Sequence, residues 1–388
     1  MDFALSEEHE AIRQLARDFA EKKLIPRAQE FDQSGTIDFD LAREMGETGF
    51  LGIIVPEQYG GTGLDTLSYA IVLEELGAGC ASHCTIIGAH NSLFAHPVLS
   101  FGTEEQKKKY LPPICSGAKF GSFSLSEPNA GSDAAAIETA AVPDGDSYVI
   151  NGNKIFVTNG AFADYIILMA KTDKSVGWRG ISAFIIEKDM PGFAVGHIEE
   201  KMGLHASPTT ELIFTDMRVP KENLLGQPGQ GFKVAMESLN SGRISVGAHA
   251  VGIGKRAIDL ALKYSKERKQ FGQPISSFQM IQAHLADMYA RWSAARWLVY
   301  EAAWRKDSGR EHITAAANAK LVASEMATFV THRAIQILGG YGYLREYDVE
   351  RLYREARVTE LYEGTSEIQR LVIARNLIKH GLYDTVAT

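Results

Sequence analysis

The spacing of apolar residues changes twice along this chain, near residue 119 and again near residue 226. The resulting order, helical then strand-like then helical, leaves no room for a nucleotide-binding βαβ sheet. Before the first change, Ser6 precedes Glu7 and Glu8, which suit a first helical turn. Ile12, Leu15, Ala16 and Phe19 then form one stripe. Further helices are expected at 39–48, ending at Gly49, and at 67–76 and 85–101; Thr103 and Gln106 have capping-box spacing for one at 106–111. Between the changes lie short β-branched or aromatic runs at 120–125, 148–150, 155–158, 165–170, 182–186 and 212–215. Asn151-Gly152 reads there as a tight hairpin turn. After the second change, helices are expected at 232–269, 278–308, 312–338 and 366–379, lengths that suit an antiparallel four-helix bundle. The expected class is α+β: an all-α domain at 1–118, a middle antiparallel β-barrel or sandwich at 119–226, and a helical bundle at 227–388.

Composition narrows the function classes. The net charge of −8 argues against a nucleic-acid binder, which would carry a basic face. Three cysteines, Cys80, Cys84 and Cys115, make no disulfide framework and have no zinc-ligand spacing. No apolar run is long enough to span a bilayer, and the acidic start at Met1, Asp2 and Phe3 lacks a leader pattern. A soluble, intracellular protein without a metal is the expectation. Gly339-Gly340-Tyr341-Gly342 follows no strand, so it is neither a dinucleotide fingerprint nor a P-loop.

Chemistry concentrates in four stretches. Glu363 lies between Tyr362 and Gly364, just before a helix that Thr365 or Ser366 can cap. A carboxylate held on such a turn and partly desolvated by an aromatic acquires a raised pKa and can act as a base. A second stretch, Phe123-Ser124-Leu125-Ser126-Glu127-Pro128-Asn129-Ala130-Gly131-Ser132-Asp133, ends a strand in a loop whose hydroxyls and N–H groups meet little obstruction. In the third, Phe156 and Thr158 share one strand face; the fourth, Arg268-Lys269-Gln270-Phe271, is a basic turn closing a long helix. Taken singly, each also reads as a surface loop, an edge strand or a helix cap.

Together, in this order and spacing, they resemble the acyl-CoA dehydrogenase family of flavoproteins, and its short-chain (butyryl-CoA) branch most closely. The resemblance runs from Ser6-Glu7-Glu8 to the final helix and takes in Glu200-Lys201-Met202-Gly203 and Arg218-Val219-Pro220. It implies a homotetramer that passes electrons to an electron-transfer flavoprotein. FAD would lie along Phe123, Leu125, Ser126 and Ser132, with Phe156 flanking its ring and Thr158 near N5. Arg268, Phe271, Gln279, Gln336, Gly339 and Gly340 would hold the diphosphate and adenosine part of a FAD mainly in a neighbouring subunit. Thr365 and Glu367 would contact FAD from the start of the last helix. Arg243 and Asn240 would meet the CoA tail, and Ser132 and Gly364 the thioester. The implied reaction is α,β-dehydrogenation of a saturated acyl-CoA to a trans-2-enoyl-CoA. Glu363 takes the α-proton, and its backbone N–H helps bind the carbonyl oxygen. Relatives that carry the glutamate on the first bundle helix would place it at about Gly242, which cannot be a base. Ile87, His90, Asn91 and Leu93 are expected to shape the acyl cavity and favour short or short branched chains. An oxygen-using oxidase and a non-catalytic member of the fold are the alternatives.

Overall fold

A computed structural model describes residues 4–387; Met1, Asp2 and Phe3, part of the N-terminal reading, lie outside the described residues. The N-terminal part holds helices α1 (Glu7–Phe19), α2 (Ala28–Ser34), α3 (Phe39–Glu47), α4 (Thr66–Gly79), α5 (Ala81–Gly88), α6 (His96–Phe101) and α7 (Glu104–Cys115). Ser6 caps α1 by accepting from the His9 N–H, and Thr103 with Gln106 forms the reciprocal capping box of α7. α4 is apolar around most of its circumference because it is buried on every side. Between α5 and α6 the helix widens into π turns over Ala89–Ala95.

The middle part is one eight-stranded sheet: β1 (Gly121–Ser124), β2 (Ala140–Asp144), β3 (Ser147–Thr158), β4 (Tyr165–Lys171), β5 (Ile181–Glu187), β6 (Phe193–Ile198), β7 (Thr209–Pro220) and β8 (Leu224–Leu225), in the order β6-β7-β3-β2-β4-β5-β8, with β1 beside β4. Pairing is antiparallel apart from β1 against β4 and the single β2–β4 partner pair. The unbroken apolar run of β4 is explained by burial of both its faces. Ile167 and Met169 pack with Phe94, Val234 and Ala235, whereas Ile166, Leu168 and Ala170 face Phe184, Ile186, Leu212 and Phe214 across the inner side of the coiled sheet.

One turn expectation is corrected. Asn151-Gly152 is no hairpin, because β3 runs straight through it. Asn151 instead exchanges hydrogen bonds with Asp216 across to β7, spanning a register shift, and Gly152 is needed because a Cβ there would lie 2.5 Å from the Thr139 hydroxyl. The actual hairpin turns at Gly145-Asp146, with Gly145 at φ 58°.

The C-terminal part contains α8 (Gly231–Glu267), α9 (Gln279–Asp307), α10 (Ile313–Leu338), α11 (Val349–Val358) and α12 (Ser366–Ala387), which breaks at Gly381. Not among the helices expected from the sequence, α11 is a short helix whose Arg351 and Glu355 pair inside the core at 2.9 Å. Where α4 crosses α8, a Cβ on Gly252 would come within 2.3 Å of the Glu74 carbonyl oxygen, so the two backbones meet almost directly. Among the described residues no helix is long and apolar enough to cross a membrane.

Candidate active site

The turn between α11 and α12 carries Glu363. After Val358 the chain tightens: the N–H groups of Leu361 and Tyr362 both donate to the Val358 carbonyl. Glu363 and Gly364 then take left-handed φ values of 53° and 93°. For a glutamate this conformation is uncommon and costs on the order of 1 kcal/mol, so surrounding contacts must impose it. Several do. Gln369 Nε2 donates to the Gly364 carbonyl at 2.8 Å, Thr365 caps α12 by accepting from Ile368 N–H, and the Tyr362 hydroxyl is hydrogen-bonded to His249 Nδ1 of α8 at 3.0 Å. Of the two candidate caps it is therefore Thr365 that acts.

The Glu363 side chain reaches the α8 backbone at Gly242. A Cβ at Gly242 would lie 1.7 Å from Glu363 Oε2, so only glycine leaves room for the carboxylate. Oε2 is buried without a hydrogen-bond partner. Burial pushes Glu363 up to about 7, against the opposing pull of the Lys320 and Arg243 charges. Arg243 is itself buried; one of its nitrogens donates to Asn240 Oδ1 at 2.6 Å, while its Nε is unpartnered. Burial also pushes His249 down to about 4, which keeps it neutral near pH 7. Among the described residues the Glu363 backbone N–H has no backbone partner, so it is free to donate to a ligand.

Glu363 lines a cavity of about 1140 Å³ between the sheet, α8 and the last turn. Glu363, Gly364, Thr365, Arg243 and Ser132 reach it, as do Phe123, Leu125, Ser126, Phe156 and Thr158. Phe156 is exposed, at φ 57° in a bulge of β3, so it and Thr158 are brought to the cavity by a register shift rather than by simple alternation. The loop after β1 is pinned by a buried ion pair: Lys154 Nζ lies 2.7 Å from Glu127 Oε1 and donates to the Leu125 carbonyl at 2.9 Å. A cavity of this size, mainly apolar with hydroxyls and the Glu363 carboxylate among its lining groups, fits a flat aromatic cofactor together with an acyl chain.

Eight expected contact residues fall outside this lining. Asn240 acts through Arg243, and Glu367 is exposed on the first turn of α12. Arg268, Phe271, Gly339 and Gly340 line a second hollow of about 550 Å³ that shares no wall with the first; Gln279 and Gln336, on α9 and α10, are not part of its lining. The acyl-cavity reading also changes. Of Ile87, His90, Asn91 and Leu93, only Leu93 lines the cavity, beside Thr85, Gly88 and Ala89. His90 is bonded to the Ile114 carbonyl and to Gly121 N–H, and Asn91 donates to the Phe50 and Ile87 carbonyls. The π turns present a different face from the one regular helical spacing assigns. Sequence reasoning did not find His249, Gln369 or Lys320. Only Lys320 left a trace, as a single charge within the alanine-rich run 315–323.

The family descriptions "Acyl-CoA dehydrogenase, N-terminal domain", "middle domain" and "C-terminal domain" match residues 6–118, 122–217 and 229–378. The chain is 48% identical over 379 residues to "Acyl-CoA dehydrogenase, short-chain specific" of Clostridium acetobutylicum, covering 98% of this chain and 100% of the other. The solved structure of butyryl-CoA dehydrogenase from Megasphaera elsdenii superposes with a TM-score of 0.96 at 48% identity, over 97% of this chain and 100% of its own. A chain of the structure described as "Electron transferring flavoprotein of Acidaminococcus fermentans: Towards a mechanism of flavin-based electron bifurcation" does so with a TM-score of 0.97 at 52% identity, over 98% and 100%.

Proposed function

The chain belongs to the acyl-CoA dehydrogenase family, and from that premise we propose that Glu363 is the base that removes the α-proton of a saturated acyl-CoA at the wall of the large cavity. The protein is an FAD-dependent acyl-CoA dehydrogenase whose product is the trans-2-enoyl-CoA and whose electrons pass to an electron-transfer flavoprotein. Bound FAD supplies the acceptor for the β-hydride, chemistry no side chain can provide.

The residues divide the remaining work. Phe123, Leu125, Ser126, Phe156 and Thr158 form the wall for the flavin ring, and Ser132 and Gly364 flank the thioester. The unpartnered Glu363 N–H is positioned to donate to the thioester oxygen, where charge develops as the proton leaves. Arg243, steadied by Asn240, offers its free Nε to the CoA portion. Thr365 and Glu367 meet the cofactor from the start of α12. In a homotetramer, Arg268, Phe271, Gln279, Gln336, Gly339 and Gly340 hold the diphosphate and adenosine end of a neighbour's FAD, for which an exposed guanidinium and paired glycines are suited. Domain limits of 1–118, 119–226 and 227–388, a short or short branched acyl chain, and a bacterial cytoplasm or mitochondrial matrix complete the reading.

One observation carries the base assignment: a carboxylate raised to about 7, whose Oε2 has no partner, facing a glycine that makes room for it. The test is Glu363→Gln. The variant is expected to keep FAD and bind butyryl-CoA while losing dehydrogenation by orders of magnitude, read as failure of the flavin band to bleach anaerobically. Bleaching at the wild-type rate would refute the assignment.

A further inference from the structure

Lys320 is fully buried on α10, yet it forms no ion pair with a carboxylate among the described residues. Its Nζ donates at 2.7 Å to the carbonyl oxygen of Gly364, the residue that follows Glu363. That carbonyl also accepts from Gln369 Nε2 at 2.8 Å, so the peptide after Glu363 is held from two sides, by α10 and by α12. A neutral donor could have supplied the hydrogen bond alone. Burying an ammonium without a paired carboxylate is costly, and it is tolerated where the charge has a task.

The groups facing Glu363 identify that task. Arg243 and His249 come from α8, Tyr69 from α4, Cys84 from α5 by way of Tyr362, and Lys320 from α10; Glu360 and Glu367 lie on the same stretch of chain. His249 is neutral, while Tyr69, Tyr362 and Cys84 are pushed up by burial and carry no charge near neutrality. That leaves Arg243 and Lys320 as the cations acting on the carboxylate, and of the two only Lys320 also fixes the turn that carries it.

We propose that Lys320 is the positioning residue of the base: its ammonium locks the Gly364 carbonyl, and with it the left-handed Glu363 turn, and, together with Arg243, favours the ionised carboxylate in a water-poor cavity. The inference rests on the reading of Glu363 as the base. Burial pushes Lys320 down to about 8, so it is still largely protonated at neutral pH.

The test uses the flavin-loaded enzyme with Lys320→Met, which removes charge and donor, and Lys320→Arg, which keeps the charge. Two midpoints are read: the acid limb of kcat/KM for butyryl-CoA, and the infrared carbonyl band of the protonated Glu363 carboxyl, identified by its absence in Glu363→Gln. Lys320→Met is expected to raise both by about one pH unit, roughly a tenfold loss of kcat/KM below the limb. Lys320→Arg should return them to within about 0.3 unit of wild type, with KM displaced because the guanidinium cannot reproduce the bond to Gly364. Should Lys320→Met not fold, Lys320→Gln keeps a donor without the charge and is expected to show the same upward shift. Unmoved midpoints in a folded, flavin-replete Lys320→Met or Lys320→Gln overturn the proposal while an inactive Glu363→Gln leaves the base assignment standing. An active Glu363→Gln would overturn both.

Discussion

Glu363 faces two opposing influences, and their balance sets its pH behaviour. Burial raises it to about 7, and the nearby cations hold it from rising further. The base is active when ionised, so kcat/KM should fall about tenfold per unit as pH drops below 7, checked in a pH–rate profile. Stability runs the other way. A carboxyl whose folded pKa lies above its unfolded value favours the fold most at low pH, and that contribution is lost as pH climbs through 7. Glu363→Gln should therefore be more stable than wild type above pH 7 by ~1–3 kcal/mol, allowing for cavity water, and the gap should close below about pH 4.5 in denaturant titrations. Gly242 gives a steric prediction. Gly242→Ala places a Cβ where Oε2 sits, so the carboxylate must move by an ångström or more. A loss in kcat of about 10²-fold is expected from such a displacement, with the fold retained, measured by steady-state turnover and circular dichroism. The glutamate was legible because its neighbours Tyr362, Gly364 and Thr365 lie beside it in the chain. Gly242 was marked in the sequence only as a position that cannot supply a base; that it makes the matching space was not legible, since 121 positions separate it from the carboxylate it accommodates.

Elements were legible wherever local chemistry settles them. Ser6, Thr103 and the apolar stripe of α1 announce their helices because a cap and its N–H groups lie within three residues. Asn151-Gly152 misled because a local turn signal cannot show that β7 lies alongside, ready to bond Asn151 through Asp216 and extend β3 past it. The loop after β1 depends on a similar distant contact, the buried Lys154–Glu127 pair. Glu127→Ala removes one member and leaves an uncompensated ammonium, so it should cost ~3–5 kcal/mol in chemical denaturation. Flavin retention should fall with it, because Ser126 and Ser132 sit on that loop.

The whole molecule carries large apolar side chains that its own fold does not cover. Phe271 is 93% exposed beside the second hollow, with Tyr343 at 85% and Met280 at 72% nearby in the chain's C-terminal part. Exposure on that scale marks a surface that another subunit covers. Phe271→Asp is expected to shift the protein from tetramer to smaller species in sedimentation velocity and to lower FAD content with it. An unchanged tetramer with full flavin would contradict the assignment of this hollow to a neighbour's cofactor.

The succession of helical, sheet and helical parts was readable from residue order, since hydrophobic period and capping act over a handful of positions. So was the turn that presents Glu363. The enclosure around that carboxylate was not. Gly242, Arg243, His249 and Lys320 converge on it from α8 and α10, and their spacing in space follows from how those helices cross. Burial and charge act through distance in three dimensions, and the packed fold alone fixes those distances.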